Sequence, residues 1–122
     1  MEQHSDLLDC HFAFAGLIGL ADPLRASAPE AISQCHDAGI RVVMITGDHA
    51  ATAMSISADA GIESANLITG DELSGMDDEQ LGKKLGSTNI FARIMPEQKL
   101  RLVQALKKDG EVVAMTGDGV ND

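Results

Sequence analysis

The sequence predicts an α/β fold built as a doubly wound, mostly parallel sheet. Three observations carry that prediction. Short apolar runs alternate with segments of helical periodicity, and the connections between them are short. Two of the runs also end alike, Val42-Val43-Met44-Ile45-Thr46-Gly47-Asp48 and Val112-Val113-Ala114-Met115-Thr116-Gly117-Asp118. Apolar runs of this kind fit buried parallel strands, and sheets of this class gather ligands at the carboxyl ends of their strands.

Each element follows from local chemistry. Residues 1–11 are polar and weakly patterned, a flexible end. Residues 12–20 form an apolar, Gly-interrupted run that ends in Ala21-Asp22-Pro23-Leu24-Arg25, a strand and then a turn. Ser27 and Glu30 stand at capping-box spacing and Pro29 sits in the first turn. Ala31, Ile32, Cys35 and Ala38 mark one face and Gly39 ends the segment, so a helix is expected. Residues 42–45 are the next strand. Asp48 then opens a helix in which Ala50, Ala53, Met54, Ile56 and Ala60 face inward until Gly61. Leu67-Ile68-Thr69 is a short strand, 77–85 a polar helix, and Ile90-Phe91-Ala92 another short strand. Pro96 leads a helix with Leu100, Val103 and Leu106 on one face and Gly110 past its end. Residues 112–115 are the last strand.

Composition narrows the function. At 122 residues the chain is one domain, 1–122, of a size that buries roughly two-thirds of the surface its unfolded form exposes. Nine Lys plus Arg against nineteen Asp plus Glu give a net charge of −10. With no basic run interleaved with aromatics, nucleic acid is excluded as a partner. Cys10 and Cys35 lack the number and spacing of a disulfide framework, which points to a reducing compartment. The Cys10-His11 and Cys35-His36 pairs lack the spacing of structural zinc sites. No apolar stretch approaches the roughly 20 residues of a membrane span, and no signal peptide is evident. The chain as given reads as soluble, which leaves a membrane-bound parent open.

Several residues suit phosphate chemistry. The Thr46 hydroxyl and the N–H groups at a helix N-terminus can donate to an anion, and Gly47 lets the backbone approach it. Taken alone, this triplet fits equally a turn glycine beside an N-cap aspartate. Ile68-Thr69-Gly70-Asp71 repeats the pattern with no flanking chemistry. Lys99 falls in the first turn of its helix, the end where the macrodipole disfavours a cation; such a lysine is either solvated or compensated by an anion. Asp118, Asn121 and Asp122 crowd two carboxylates and an amide into five residues. These are hard oxygen ligands of the sort Mg2+ takes together with phosphate and water, or else an acidic turn capping a further helix.

Together these segments resemble the phosphorylation domain of P-type cation-transporting ATPases, within the haloacid dehalogenase superfamily. The match spans 14–122: Gly16-Leu17-Ile18-Gly19 into Asp22-Pro23-Leu24-Arg25, Met44-Ile45-Thr46-Gly47-Asp48-His49, Phe91-Ala92-Arg93, Pro96-Glu97-Gln98-Lys99 and Met115-Thr116-Gly117-Asp118-Gly119-Val120-Asn121-Asp122. Thr116 in the last motif and the Phe-Ala-Arg segment are more similar to the calcium and sodium–potassium pumps than to the heavy-metal pumps. The resemblance implies that Thr46 and Gly47 bind the transferred phosphoryl group and that Lys99 neutralises it. It further implies that Asp118 ligates Mg2+, that Asn121 and Asp122 complete the polar shell, and that Asp48 and Arg93 meet the ATP. Residues 1–11 then match the end of the hinge from the nucleotide-binding domain, and the partners are the remaining domains of a pump whose cytoplasmic part this chain forms.

Two departures stand out. The family's phosphorylated aspartate, in an Asp-Lys-Thr-Gly-Thr motif, is not in this sequence, nor is the Ala-Pro-Ala-Leu segment that follows the last motif. Ala50 also stands where proline is frequent. The expected fold is therefore haloacid dehalogenase-like but without its central nucleophile strand, and the isolated chain is expected to be inactive and open to strand exchange as a dimer. The alternatives are a fragment of a soluble phosphatase of the same superfamily or a non-catalytic acidic binding module. The transported cation and its direction lie outside what these residues encode.

Overall fold

The computed structural model describes residues 13–20 and 22–117. Helices α1 (Ala28–Asp37), α2 (Ala50–Ala60), α3 (Gly70–Gly75), α4 (Asp78–Leu85) and α5 (Pro96–Lys108) alternate with strands β1 (Met44–Ile45), β2 (Asn66–Thr69) and β3 (Thr88–Ala92). The strands form a parallel sheet in the order β1-β3-β2. Met44 and Ile45 pair with Ile90 and Phe91 of β3, which on its other side pairs Ile68 with Phe91 and Thr69 with Ala92.

Strand alternation sends neighbouring side chains to opposite faces, and the two faces are covered by different helices. Ile90 and Ala92 meet Ala53 and Ala60 of α2, with Val42, Met44 and Ile32 of α1 packed at the margin. Phe91 meets the larger core of Ile68, Leu73, Leu81, Leu85, Leu102 and Leu106, against which Val43 and Ile45 pack. Helices on both faces make the sheet doubly wound, as the alternation of elements predicts.

Two arginines tie the layers together. Arg41, just before β1, donates from Nε to Asn89 Oδ1 at 2.7 Å and from its terminal nitrogen to the carbonyls of Leu85 and Thr88. Arg101 of α5 donates to the carbonyls of Leu73 at 2.7 Å and Met76 at 2.6 Å, locking α5 to the α3–α4 connection. Charge-assisted bonds to backbone acceptors are among the stronger hydrogen bonds.

The structure corrects several expectations. Residues 13–20, read as part of a strand, have no regular structure, and Phe14, Leu17, Ile18 and Leu20 are exposed. Residues 111–117 likewise form no strand, although Val113 packs against the larger core. The reason is pairing. Thr46 directs both its N–H and its C=O toward the β3 side, so alternation turns those of Val43 and Ile45 the other way, where no described residue pairs with them. An apolar run without a neighbour on that edge is not a strand. The strand expected over 42–45 is correspondingly reduced to Met44–Ile45.

The helices are corrected in detail. His49 rather than Asp48 is the N-cap of α2, whose buried residues are Ala53, Ser57 and Ala60, while Met54 is exposed. In α5 the inward stripe runs through Leu102 and Leu106, and Leu100 faces water. α1 has no fully buried residue, although Ile32 and Cys35 are partly covered. α3 was not expected; a capping box between Thr69 and Glu72 starts it.

Candidate active site

The carboxyl ends of all three strands open onto one edge. β1 runs into Thr46-Gly47-Asp48, β3 into Arg93, and β2 into Gly70-Asp71. Three backbone hydrogen bonds sew the first two together: Thr46 N–H donates to Phe91 C=O at 2.9 Å, Ile94 N–H to Thr46 C=O at 3.0 Å, and Arg93 N–H to Asp48 C=O at 2.9 Å. The Thr46-Gly47-Asp48 turn and the Arg93-Ile94-Met95 corner are thus one unit, and α5 begins at Pro96 directly from it.

Within the turn, Asp48 N–H donates to Thr46 Oγ1 at 3.1 Å, which fixes the hydroxyl at the mouth of α2. The His49 cap supplies no side-chain acceptor and the first turn of α2 holds no acidic residue. By contrast Glu72, Gln80 and Gln98 reach back to the start of α3, α4 and α5. The first N–H groups of α2 therefore face the edge without a side-chain cap, the arrangement in which helix ends receive anions. A Cβ built on Gly47 would meet nothing nearer than the Ile94 carbonyl oxygen at 4.0 Å, so the space before the turn is open.

Arg93 has φ of 54°, the left-handed region that residues with side chains seldom adopt. The bond from its N–H to Asp48 holds it there, and such constrained positions cluster at functional sites. Lys99 is partly buried and begins the stripe Lys99, Leu102, Val103, Leu106, which follows the i, i+3, i+4, i+7 rule for one helix face. Lys99 therefore sits beside the buried face of α5, in its first turn. Thr46, Gly47, Asp48, Arg93 and Lys99 are thereby gathered on one edge; Asp118, Asn121 and Asp122 lie outside the described residues.

The donors on this edge, a hydroxyl, helix N–H groups, a guanidinium and an ammonium, suit an anion. Among the described residues no group of three His, Cys, Asp or Glu side chains could hold a metal ion. The carboxylate expected to bind Mg2+, Asp118, falls beyond them. A cavity of about 690 Å³ lies at the opposite, amino edge, lined by Arg41, Glu63, Ser64, Ser87 and Asn89 among others. Its arginine is already engaged by Asn89, Leu85 and Thr88, and Glu63 adds negative charge, so it is a poor anion receptor.

From the sequence alone Gln98 has no role of its own, and the Thr69-Gly70-Asp71 turn is a repeat with no flanking chemistry. Thr69 N–H and the Thr69 hydroxyl both donate to Glu72 and hold its carboxyl below the ordinary value. Those residues build α3, and Gly70 then packs on the Arg93 carbonyl. The signal for the turn was the capping-box spacing of Thr69 and Glu72; Met95 has no capping oxygen, so the sequence carried no such signal for Gln98.

The model of the haloacid dehalogenase-like hydrolases matches residues 2–122. The chain belongs to this family. It is also 49% identical over 116 residues to a probable cation-transporting ATPase F of Mycobacterium tuberculosis, covering 90% of this chain and 13% of that protein. The calcium-transporting ATPase 1 of Bacillus cereus is 44% identical over 119 residues, covering 96% of the chain and 13% of the relative. That of Saccharomyces cerevisiae is 48% identical over 113 residues, covering 89% and 12%. The resemblance to P-type cation-transporting ATPases is therefore borne out, and within this haloacid dehalogenase-like family the chain spans 12 to 13% of the length of these curated relatives.

Proposed function

We propose that this chain forms part of the phosphorylation site of an ATP-driven cation pump. The observation that carries the reading is the sewn edge: three backbone bonds hold the Thr46-Gly47-Asp48 turn against the corner from which Arg93 projects and α5 starts. In this reading Thr46 donates its hydroxyl and Gly47 its N–H to the transferred phosphoryl group. Lys99 neutralises the charge that develops on it, and Asp48 and Arg93 meet the nucleotide. Phosphoryl transfer is mainly positioning and charge stabilisation, which is what such an edge supplies.

Asp118 would hold Mg2+, with Asn121 and Asp122 completing the polar shell; the ion supplies charge neutralisation when bound. The phosphorylated aspartate, the rest of the nucleotide site and the transported cation belong in this reading to other parts of the pump, of which this chain is a cytoplasmic piece. Among the described residues no helix is long and apolar enough to cross a membrane. The edge of β1 that no described residue pairs is where the isolated chain would take a strand from a second copy.

A graft tests the proposal. Residues 13–122 replace the aligned stretch of the Saccharomyces cerevisiae calcium-transporting ATPase 1, and the chimera is incubated with radiolabelled ATP and Mg2+ and quenched in acid. The chimera should carry acid-stable label, and the 122-residue chain alone none, for want of an acceptor carboxylate. A folded chimera without label, or a labelled isolated chain, contradicts the reading.

A further inference from the structure

Gln98 makes three hydrogen bonds that leave its amide without a spare role. Its Oε1 accepts from Met95 N–H at 2.9 Å, and its Nε2 donates to the Gly70 carbonyl at 2.8 Å and to Ser74 Oγ at 2.8 Å. One side chain therefore joins the N-cap of α5 to both ends of α3. The contact it closes is tight: a Cβ on Gly70 would lie 2.2 Å from the Arg93 carbonyl oxygen and 2.8 Å from Gln98 Oε1. Gly70 is needed for space rather than for backbone freedom, since its φ is not positive.

α3 thus leans on the Arg93-Ile94-Met95 corner, and Gln98 holds it there. The same corner carries the two N–H groups that bind Asp48 and Thr46. We infer that Gln98 is a positioning residue of the phosphate edge, setting the angle at which Arg93 and Lys99 approach an anion seated at Thr46 and Gly47. The inference rests on the phosphate reading of that edge.

The side-chain chemistry explains why glutamine is required. An amide offers an acceptor and two donors in one plane, and all are used here. Glutamate would keep the bond from Met95 but set a carboxylate against the Gly70 carbonyl, and it would add negative charge beside an anion site. Methionine keeps the length of the side chain and loses every bond.

The 122-residue chain, labelled with 15N, provides the test. Amide exchange needs no ligand: Gln98→Met should speed exchange at Arg93, Ile94 and Met95 by about 10-fold or more, as expected when the three bonds that hold the corner are lost. Ile90 and Phe91 in the central strand should stay protected, which separates a loosened corner from global unfolding. Inorganic phosphate, titrated while the Gly47 amide is followed, should bind at least about 5-fold more weakly to Gln98→Met. Ser74→Ala, which removes one bond, should shift both readouts in the same direction by less, and it serves if Gln98→Met fails to fold. Unchanged exchange overturns the clamp, and changed exchange with unchanged phosphate affinity overturns the positioning role. A wild-type chain whose Thr46-Gly47-Asp48 amides ignore phosphate overturns the underlying reading and the positioning role with it. That failure is told apart because the exchange data stand without a ligand.

Discussion

Replacing Lys99 by alanine in the grafted pump is expected to lower the phosphoenzyme formed from ATP by about 100- to 1000-fold, the usual cost of deleting one preorganised group that meets developing charge. A cation in the first turn of a helix opposes the macrodipole, and partial burial adds a desolvation cost. Because Lys99 heads the same stripe as Leu102 and Leu106, the ammonium is carried by a well-packed helix. Lys99→Ala should therefore leave expression and melting of the graft unchanged while phosphorylation collapses. Near-normal phosphoenzyme in that variant would remove Lys99 from the site.

The largest effect on folding is expected at Phe91. It is 1% exposed in the central strand, pairs in register with Ile45 on one side and Ile68 on the other, and lies in the larger core with Leu73, Leu81 and Leu102. Phe91→Ala should cost about 3–5 kcal/mol, from lost transfer energy and an unfilled cavity. Against the roughly 5–15 kcal/mol that holds a typical domain, that loss leaves the chain close to unfolding. The chain has no Trp and no Tyr, so urea melts should be followed by far-ultraviolet circular dichroism. A loss under about 1 kcal/mol would mean the sheet is not centred on β3.

What could be read in the sequence was what local chemistry controls. Gly61 and Gly110, with φ of 79° and 89°, stop α2 and α5 where their spacing indicates. Pro96 starts α5, and the apolar residues of 66–69 and 88–92 are paired strands. The place of Thr46, Gly47 and Asp48 was legible because parallel strands deliver their carboxyl ends to one edge, whereas Lys99 stood out by helix polarity and Arg93 only through the family resemblance.

What could not be read depends on partners. Residues 13–20 and 112–115 are as apolar as true strands, but β-propensity says nothing about which neighbour supplies the hydrogen bonds. The groups of Val43 and Ile45 that no described residue pairs mark where such a neighbour would sit. Leu100 and Leu102 look alike in sequence, and only the packing of α5 against Phe91 and Leu73 chooses Leu102. Gln98 escaped notice because its role lies in reaching α3, 28 residues away in the chain at Gly70.

The central claim is that the carboxyl edge of the sheet receives a phosphoryl group. Titrating inorganic phosphate into the 15N-labelled chain tests it most directly, with amide shifts followed at both edges of the sheet. The account predicts perturbations centred on Thr46, Gly47, Asp48 and the first turn of α2, reduced by Lys99→Ala. Perturbations centred instead on Arg41 and Asn89 at the amino edge, or none at Thr46 and Gly47, would contradict it.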